Sequence, residues 1–327
     1  MSQDLAQLAA DIRTYAGLTR KQPIAEIFQT LVLDGEPGPQ LPNYGDDAAA
    51  LAFKDGYLLL ATDGIMTGLL VNEPYAAGKA SVMVTVNDIY SMGGRPMALV
   101  NVLASGPAAQ RAQVVAGMRK GCAKLGVPMV GGHLHPDAPA DQPSLSVAIL
   151  GWATSLLRSH LAQPGDELIL AVDLGGRAGC RSVVSWDANS GKTPAELKER
   201  LEVLPAIAEA GLAQACKDVS NAGILGTFAI MMENSGRGAV LDLAAIPCPP
   251  SLTLEQWVLC FQSYGFALAV PPAHAARVKE MFQAQGVAAA TVGRVTGERL
   301  VKLAQAGREE VLFDFQKEQI TGISYSA

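Results

Sequence analysis

Charge is scarce in this chain. Only 17% of its 327 residues are charged, and they sum to −6 at pH 7. A protein that holds a nucleic-acid backbone or an anionic membrane concentrates Lys and Arg, so neither partner is expected here. Cysteine is also thin. The five present, Cys122, Cys180, Cys216, Cys248 and Cys260, are odd in number and form no CxxC pair. That excludes a disulfide framework and reads as reduced thiols in a cytoplasmic protein. The start, Met1-Ser2-Gln3-Asp4, lacks the basic residues and apolar run of a secretory signal. Apolar runs such as Met97–Ala104 and Val147–Ala153 fall short of the ~20 residues a membrane helix needs. The expectation is a soluble, cytoplasmic chain.

What is abundant is apolar material, at 49% of residues in a chain of 34.1 kDa. This supports a sizeable core, argues against disorder, and makes two domains the natural division. Leu5, Leu8, Ala9 and Ile12 recur at helical spacing. A second helix follows Pro23, with Ile24, Ile27, Phe28 and Leu31 on one stripe. Gly35-Glu36-Pro37-Gly38-Pro39 then breaks regular structure. The pattern predicts strands at Ala48–Phe53 and Tyr57–Thr62, a helix from Tyr75 to Met92, and a strand over Pro96–Leu103. A helix over Ala108–Leu125 and strands over Pro128–Gly132 and Leu145–Trp152 follow. The turn at Pro164-Gly165-Asp166 marks a boundary, dividing 1–160 from 161–327. Beyond it, helices are predicted near Pro194–Lys217, Gly223–Asn234 and Pro272–Gln285. Strands are predicted at Glu167–Val172, Gly238–Leu243, Phe266–Val270 and Ala288–Arg294. Both parts mix strands and helices, which gives an α+β fold in two domains rather than one Rossmann sheet.

The familiar phosphate and hydrolase signatures are missing. There is no GxxxxGK[ST], no strand-anchored GxGxxG and no GxSxG elbow. Four acidic clusters stand out instead: Gly45-Asp46-Asp47-Ala48, Thr62-Asp63-Gly64, Asn87-Asp88 and Lys217-Asp218-Val219-Ser220. Each taken singly reads as a turn or cap. Together, in largely apolar surroundings, they form a set of hard oxygen donors that suits Mg²⁺ shared with substrate phosphates. Asp88 is the most informative, because the apolar pattern Val82–Met92 continues straight through it. Buried carboxylates are rare unless paired or holding metal. Gly131-Gly132-His133-Leu134-His135 follows a short apolar strand and offers backbone amides to a phosphate. The two histidines also fit a zinc reading, although no cysteine has ligand spacing. Gly175-Gly176-Arg177-Ala178-Gly179 reads as a phosphate loop or a plain turn.

The order of these motifs resembles the superfamily of selenophosphate synthetase, thiamine-monophosphate kinase and aminoimidazole-ribonucleotide (AIR) synthetase. The residues that carry the resemblance are Gly45-Asp46-Asp47-Ala48-Ala49, Thr62-Asp63-Gly64, Asn87-Asp88-Ile89-Tyr90-Ser91-Met92-Gly93-Gly94, Gly131-Gly132-His133 and Lys217-Asp218-Val219-Ser220-Asn221-Ala222-Gly223. It spans about Tyr44 to Thr296 and is nearest to a synthetase-related branch. The resemblance implies an N-terminal α+β domain whose sheet pairs across a homodimer, and a C-terminal α/β sandwich. It implies an Mg²⁺-dependent enzyme that uses ATP to phosphorylate or activate a small-molecule substrate; the alternative is a silent nucleotide- or partner-binding member of the same fold. It implies metal roles for Asp47, Asp63, Asp88 and Asp218, with Asp46 acting on the metal or its waters. Gly131, Gly132 and His133 would contact the nucleotide. Lys21 would reach the phosphates, or else is a solvated lysine. The Cys or selenocysteine that selenophosphate synthetases carry near the N-terminus has no counterpart, since the first cysteine is Cys122.

Overall fold

The computed structural model describes residues 5–31 and 44–325, with backbone only at 28, 29 and 31. The break at Gly35–Pro39, the start Met1–Asp4 and the side chains of Phe28 and Leu31 lie outside the described residues. In chain order the elements are α1 (Leu5–Thr14), α2 (Ala16–Thr19), α3 (Ile24–Leu31), β1 (Ala49–Phe53), β2 (Gly56–Gly64), α4 (Thr67–Asn72), α5 (Pro74–Ser91), β3 (Arg95–Ala104), α6 (Ala108–Leu125), β4 (Met129–His135) and β5 (Ser144–Ala153). There follow β6 (Glu167–Val172), β7 (Arg177–Ala178), β8 (Ser185–Asp187), α7 (Pro194–Leu201), α8 (Val203–Glu209), β9 (Ala215–Asp218), α9 (Gly223–Asn234) and β10 (Gly238–Asp242). The chain closes with α10 (Leu254–Val258), β11 (Phe261–Gln262), β12 (Gly265–Val270), α11 (Pro272–Gln283), β13 (Ala288–Thr296), β14 (Leu300–Gln305) and β15 (Arg308–Asp314). Among the described residues, no helix is long and apolar enough to cross a membrane.

These elements form two compact units that are not successive in sequence. One comprises Asp47–Leu156 and Gly176–Glu209, the other Met1–Asp46, Leu157–Gly175 and Ala210–Ala327. By contact, the chain crosses between these units four times, beside the single division expected at 160/161. The first 46 residues join the later unit because α1 packs on β14 and β15, strands from the far end of the chain. A composition shift cannot reveal such a partnership.

The first unit holds a five-stranded mixed sheet of order β1-β2-β5-β3-β4. Helix α5 lies against β2, β5 and β3, and α6 packs on α5. The seating is close: a Cβ on Gly151 would come within 2.6 Å of Ile89, and one on Gly78 within 2.0 Å of the Val114 carbonyl. Glycine is required at both positions because helix and sheet, and helix and helix, approach to backbone contact. Helix α6 ends where the sequence predicts, at Gly126, which adopts φ +69° and caps Cys122 O.

The second unit holds a seven-stranded sheet of order β15-β14-β10-β13-β6-β12-β9. Helix α9 rests on β9, β10 and β12. All of its residues from Gly223 to Asn234 are buried, as expected for a helix apolar all round. The predicted helix Pro194–Lys217 is corrected. It breaks into α7 and α8, passes Gly211 at φ +64°, and ends as strand β9. The strands β14 and β15, absent from the sequence reading, form a hairpin through Ala306-Gly307, both at positive φ.

Candidate functional site

The sheet of the first unit sorts the expected site residues by face. Asp63 pairs with Val147, Val147 with Asn101, and Asn101 with Gly132, so one line crosses β2, β5, β3 and β4. Paired residues point to the same side, and Val147 is fully buried, so this line lies on the face that α5 covers. His133 pairs with Val102, and Val102 with Ser146, on the opposite face, where Val102 is exposed. The side chains of Asp63 and His133 therefore leave opposite faces of the sheet. His135 shares the His133 face, and the two rings stand 4.6 Å apart.

Gly131 and Gly132 do not end their strand, contrary to the sequence reading; β4 runs on to His135. The two glycines differ in why they are glycine. A Cβ on Gly132 would lie 2.6 Å from Asn101 Nδ2, so packing requires its absence. A Cβ on Gly131 would meet nothing nearer than Val100 Cγ1 at 3.6 Å. The fold does not need glycine at 131, although glycine weakens a strand interior. Asn101, whose Nδ2 donates to Gly131 O at 3.4 Å, was missed by the sequence reading. Its signal was there, as the one polar side chain inside Met97–Ala104.

Asp88 lies in the last turn of α5 and is 8% exposed, between buried Val86, Ile89 and Tyr90. The contact of Ile89 with Gly151 sets how this end of the helix seats on β5. Asp47 and Asp63 are half-buried. Among the described residues, no three His, Cys, Asp or Glu side chains are grouped so as to hold a metal alone.

Asp46 belongs to the second unit and has a different environment from the one expected. Its side chain is 0% exposed, and Oδ2 accepts from Arg158 Nε at 2.5 Å. Oδ1 accepts from Ser159 N at 2.7 Å and Ser159 Oγ at 2.6 Å. His160 Nδ1 stands 3.7 Å from Oδ2, beyond hydrogen-bond length. Burial pushes the Asp46 carboxyl up, but His160, Arg158, Ser159 and Lys217 outweigh burial and hold it below the ordinary carboxylate range. Both oxygens of Asp46, expected to act on a metal or its waters, are engaged by Arg158 and Ser159. Arg158 and Ser159 were not singled out from sequence, because Arg158-Ser159-His160 lies 112 positions from Asp46 in an unremarked loop.

Asp218 ends β9, an edge strand of the seven-stranded sheet, where it pairs with Phe266 and is buried. Lys21 lies in the turn after α2, in the same unit as Asp218. Gly176, expected in a phosphate loop or a turn, has no room for a Cβ because Trp186 Nε1 would lie 2.6 Å away. That explains one glycine of the Gly175–Gly179 run by packing beside the β7–β8 ladder.

Two family models match the chain: "AIR synthase related protein, N-terminal domain" over residues 45–153, and "AIR synthase related protein, C-terminal domain" over 163–304. A protein of Synechocystis sp., named Uncharacterized protein sll0787, is 39% identical over 98% of this chain and 99% of its own length. A selenide, water dikinase of Geobacter metallireducens is 32% identical over 63% of this chain and 62% of its own. In fold, the chain is similar to T. maritima PurL complexed with ATP, with TM-score 0.71 at 19% identity, covering 86% of this chain and 47% of that one. The chain thus spans about half the length of that solved protein. The two matched domains, together with a relative aligned from end to end, show that this chain belongs to the AIR synthase related family.

Proposed function

We propose that this protein is an Mg²⁺-dependent enzyme that uses ATP to phosphorylate or activate a small-molecule substrate. The observation that carries the reading is the place of Asp88, a carboxylate 8% exposed near the end of an apolar helix that lies on the same face of the sheet as Asp63. Asp47, Asp63 and Asp88 would supply the metal's protein ligands in the first unit, and Gly131 and Gly132 would let the nucleotide approach β4. The oxygens of this donor set are hard and suit Mg²⁺ held jointly with phosphates, although among the described residues no three such side chains are grouped to hold a metal alone. Mg²⁺ characteristically takes one or two carboxylates and completes its shell with water and substrate phosphate. When bound, it would neutralise charge on the transferring phosphoryl group. His133 leaves the other face of the sheet from Asp63, so its expected nucleotide contact is assigned to its backbone. Asp218 and Lys21 belong to the other unit.

The same unit exposes Leu51, Phe53, Leu60, Val100, Val102 and Val130, each over 40%. Apolar surface on that scale marks an interaction face, which we assign to a second copy of the chain in a homodimer. None of the five cysteines forms a disulfide, which suits the reducing cytoplasm. Calorimetry of ATP binding with Mg²⁺ and with EDTA tests the central claim. Binding is expected only with the metal, and equal affinity in EDTA would remove it.

A further inference from the structure

The segment after β15 folds back to form one wall of a cavity of about 290 Å³, all of it within the second unit. That segment is fastened at both ends. Asp314 O accepts from Lys317 N at 2.9 Å and Glu318 N at 3.0 Å, and Asp314 Oδ1 accepts from Gln316 N at 3.1 Å. Further on, the Glu233 carboxylate accepts from Ile320 N and Thr321 N at 2.8 Å each, Thr321 Oγ1 at 2.7 Å and Gly322 N at 3.2 Å. Phe315 N donates to Arg299 O at 3.0 Å, just past the Leu300–Asp314 pair of the β14–β15 hairpin. Arg299, Phe315, Gln319 and Ser324 line the cavity together with Glu233. Glu233 stands in the last turn of α9, about 15 Å along the helix from the end that follows Asp218.

Arg299 Nε is shut off from solvent and has no hydrogen-bond partner among the described residues. A buried donor without an acceptor is costly, and each such group calls for a ligand, an ion or a water. Arg237 Nε is in the same condition. The two arginines stand two places before Ala239 and Val301, which pair in the parallel strands β10 and β14. A Cβ on Gly238 would lie 2.1 Å from Glu298 O and 2.2 Å from Leu300 O, so the chain at Arg237 runs against the chain around Arg299. Two guanidinium-bearing residues thus meet at one end of the sheet, which raises the local potential for an anion. The acidic residues lining the cavity are engaged elsewhere. Glu233 accepts the four bonds given above, and Glu318 Oε1 accepts from Asp314 N at 3.1 Å.

We propose that this cavity binds a small molecule bearing an oxyanion, a carboxylate or a phosphate monoester, on the guanidinium of Arg299. The guanidinium offers its donors as a flat fork that matches two oxygens of such a group. Phe315 supplies an apolar wall, and the exposed side chain of Gln319 is available to a polar substituent. The site is separate from the carboxylates assigned to Mg²⁺-ATP, and its binding does not depend on that assignment.

The test is nuclear magnetic resonance on the full ¹⁵N-labelled chain. The Arg299 Nε–H signal is assigned by its loss in Arg299→Lys, and the amides of Gln316 and Gly322 are followed in both proteins. Inorganic phosphate, succinate and the neutral succinamide are titrated at constant ionic strength. Phosphate or succinate is expected to move the Nε–H signal and saturate by about 10 mM, as for a dissociation constant near 1 mM, while succinamide leaves it in place. The tighter of the two anions identifies the ligand as phosphate ester or carboxylate. Arg299→Lys keeps the charge and loses the fork, and should weaken the same anion about tenfold at the two amides. A shift still linear at about 10 mM, an equal shift with succinamide, or full affinity in Arg299→Lys overturns the proposal; a cavity that holds only water gives the first of these. Should Arg299→Lys fail to fold, the wild-type titration with the two anions and the neutral amide decides alone.

Discussion

Every residue of β12 from Gly265 to Val270 is buried, whereas every residue of β4 from Val130 to His135 is exposed. The sequences do not prepare one for so large a contrast. β12 reads Gly-Phe-Ala-Leu-Ala-Val, and β3, the strand paired with β4, reads Ala-Leu-Val-Asn-Val-Leu across its centre. The seven-stranded sheet uses apolar residues at successive positions because its inner strands meet protein on both sides. The five-stranded sheet uses them on both sides too, yet only one side meets α5. Leu99 and Leu103 are buried while Val100 and Val102 are over 40% exposed. A sheet meant to face water would carry polar residues at these alternate positions. One sheet is buried on both sides, and the other leaves one apolar face exposed.

The contrast breaks first under truncation. Leu268→Ala in β12 is expected to cost about 2–5 kcal/mol in denaturant unfolding, as for a fully buried leucine. Val100→Ala on the open face should stay within about 0.5 kcal/mol for the monomer. Val100→Lys should leave the monomer folded but halve the mass seen by light scattering. A monomeric wild type at micromolar concentration would contradict the assignment of that face to a second copy.

A smaller effect separates the site from the rest of the covered face. Asp88→Asn keeps the shape of the side chain and removes the charge. Without ligand its melting temperature should hold or rise slightly, and stabilisation by Mg²⁺-ATP should vanish, because that stabilisation follows affinity. If Asp88 is instead a structural acceptor, the change costs about 1–3 kcal/mol and nucleotide binding survives. Paired melts with and without Mg²⁺-ATP distinguish these outcomes.

The finest comparison is between two neighbouring glycines. Gly132→Ala must push against Asn101 and should lower stability by about 1–3 kcal/mol. Gly131→Ala meets only Val100 Cγ1, at an ordinary contact distance of 3.6 Å, and should be neutral or stabilising by about 0.4–1 kcal/mol if its backbone angles admit alanine. ATP affinity should fall in Gly132→Ala, whose methyl enters the face of Asp63, and hold in Gly131→Ala, whose methyl enters the opposite face beside Val100. The reverse order would contradict the placing of the nucleotide on the Asp63 face.

Helices and strands with strong local signals were legible from the residues alone. The period of Leu5, Leu8, Ala9 and Ile12, the stop at Gly126 and the buried run of β6 depend on neighbours a few positions apart. So did the oddity of Asp88, since a charge inside an apolar helix needs no tertiary knowledge to stand out. The strand at Ala215–Asp218 was hidden behind helical composition upstream, and Gly211 decided otherwise. The sequence by itself determined the α+β character, the family motifs and the carboxylates worth testing. The tertiary structure alone decided which faces they occupy and what they touch. It returned the first 46 residues to the unit of β14 and β15. It set Asp63 and His133 on opposite sides of one sheet, because side chains alternate along a strand and register fixes the line across strands. It also divided two adjacent aspartates, joining Asp46 to an arginine 112 positions away and leaving Asp47 half-buried. Propensity and periodicity act over a few residues, while an ion pair at that separation depends on the path of the whole chain.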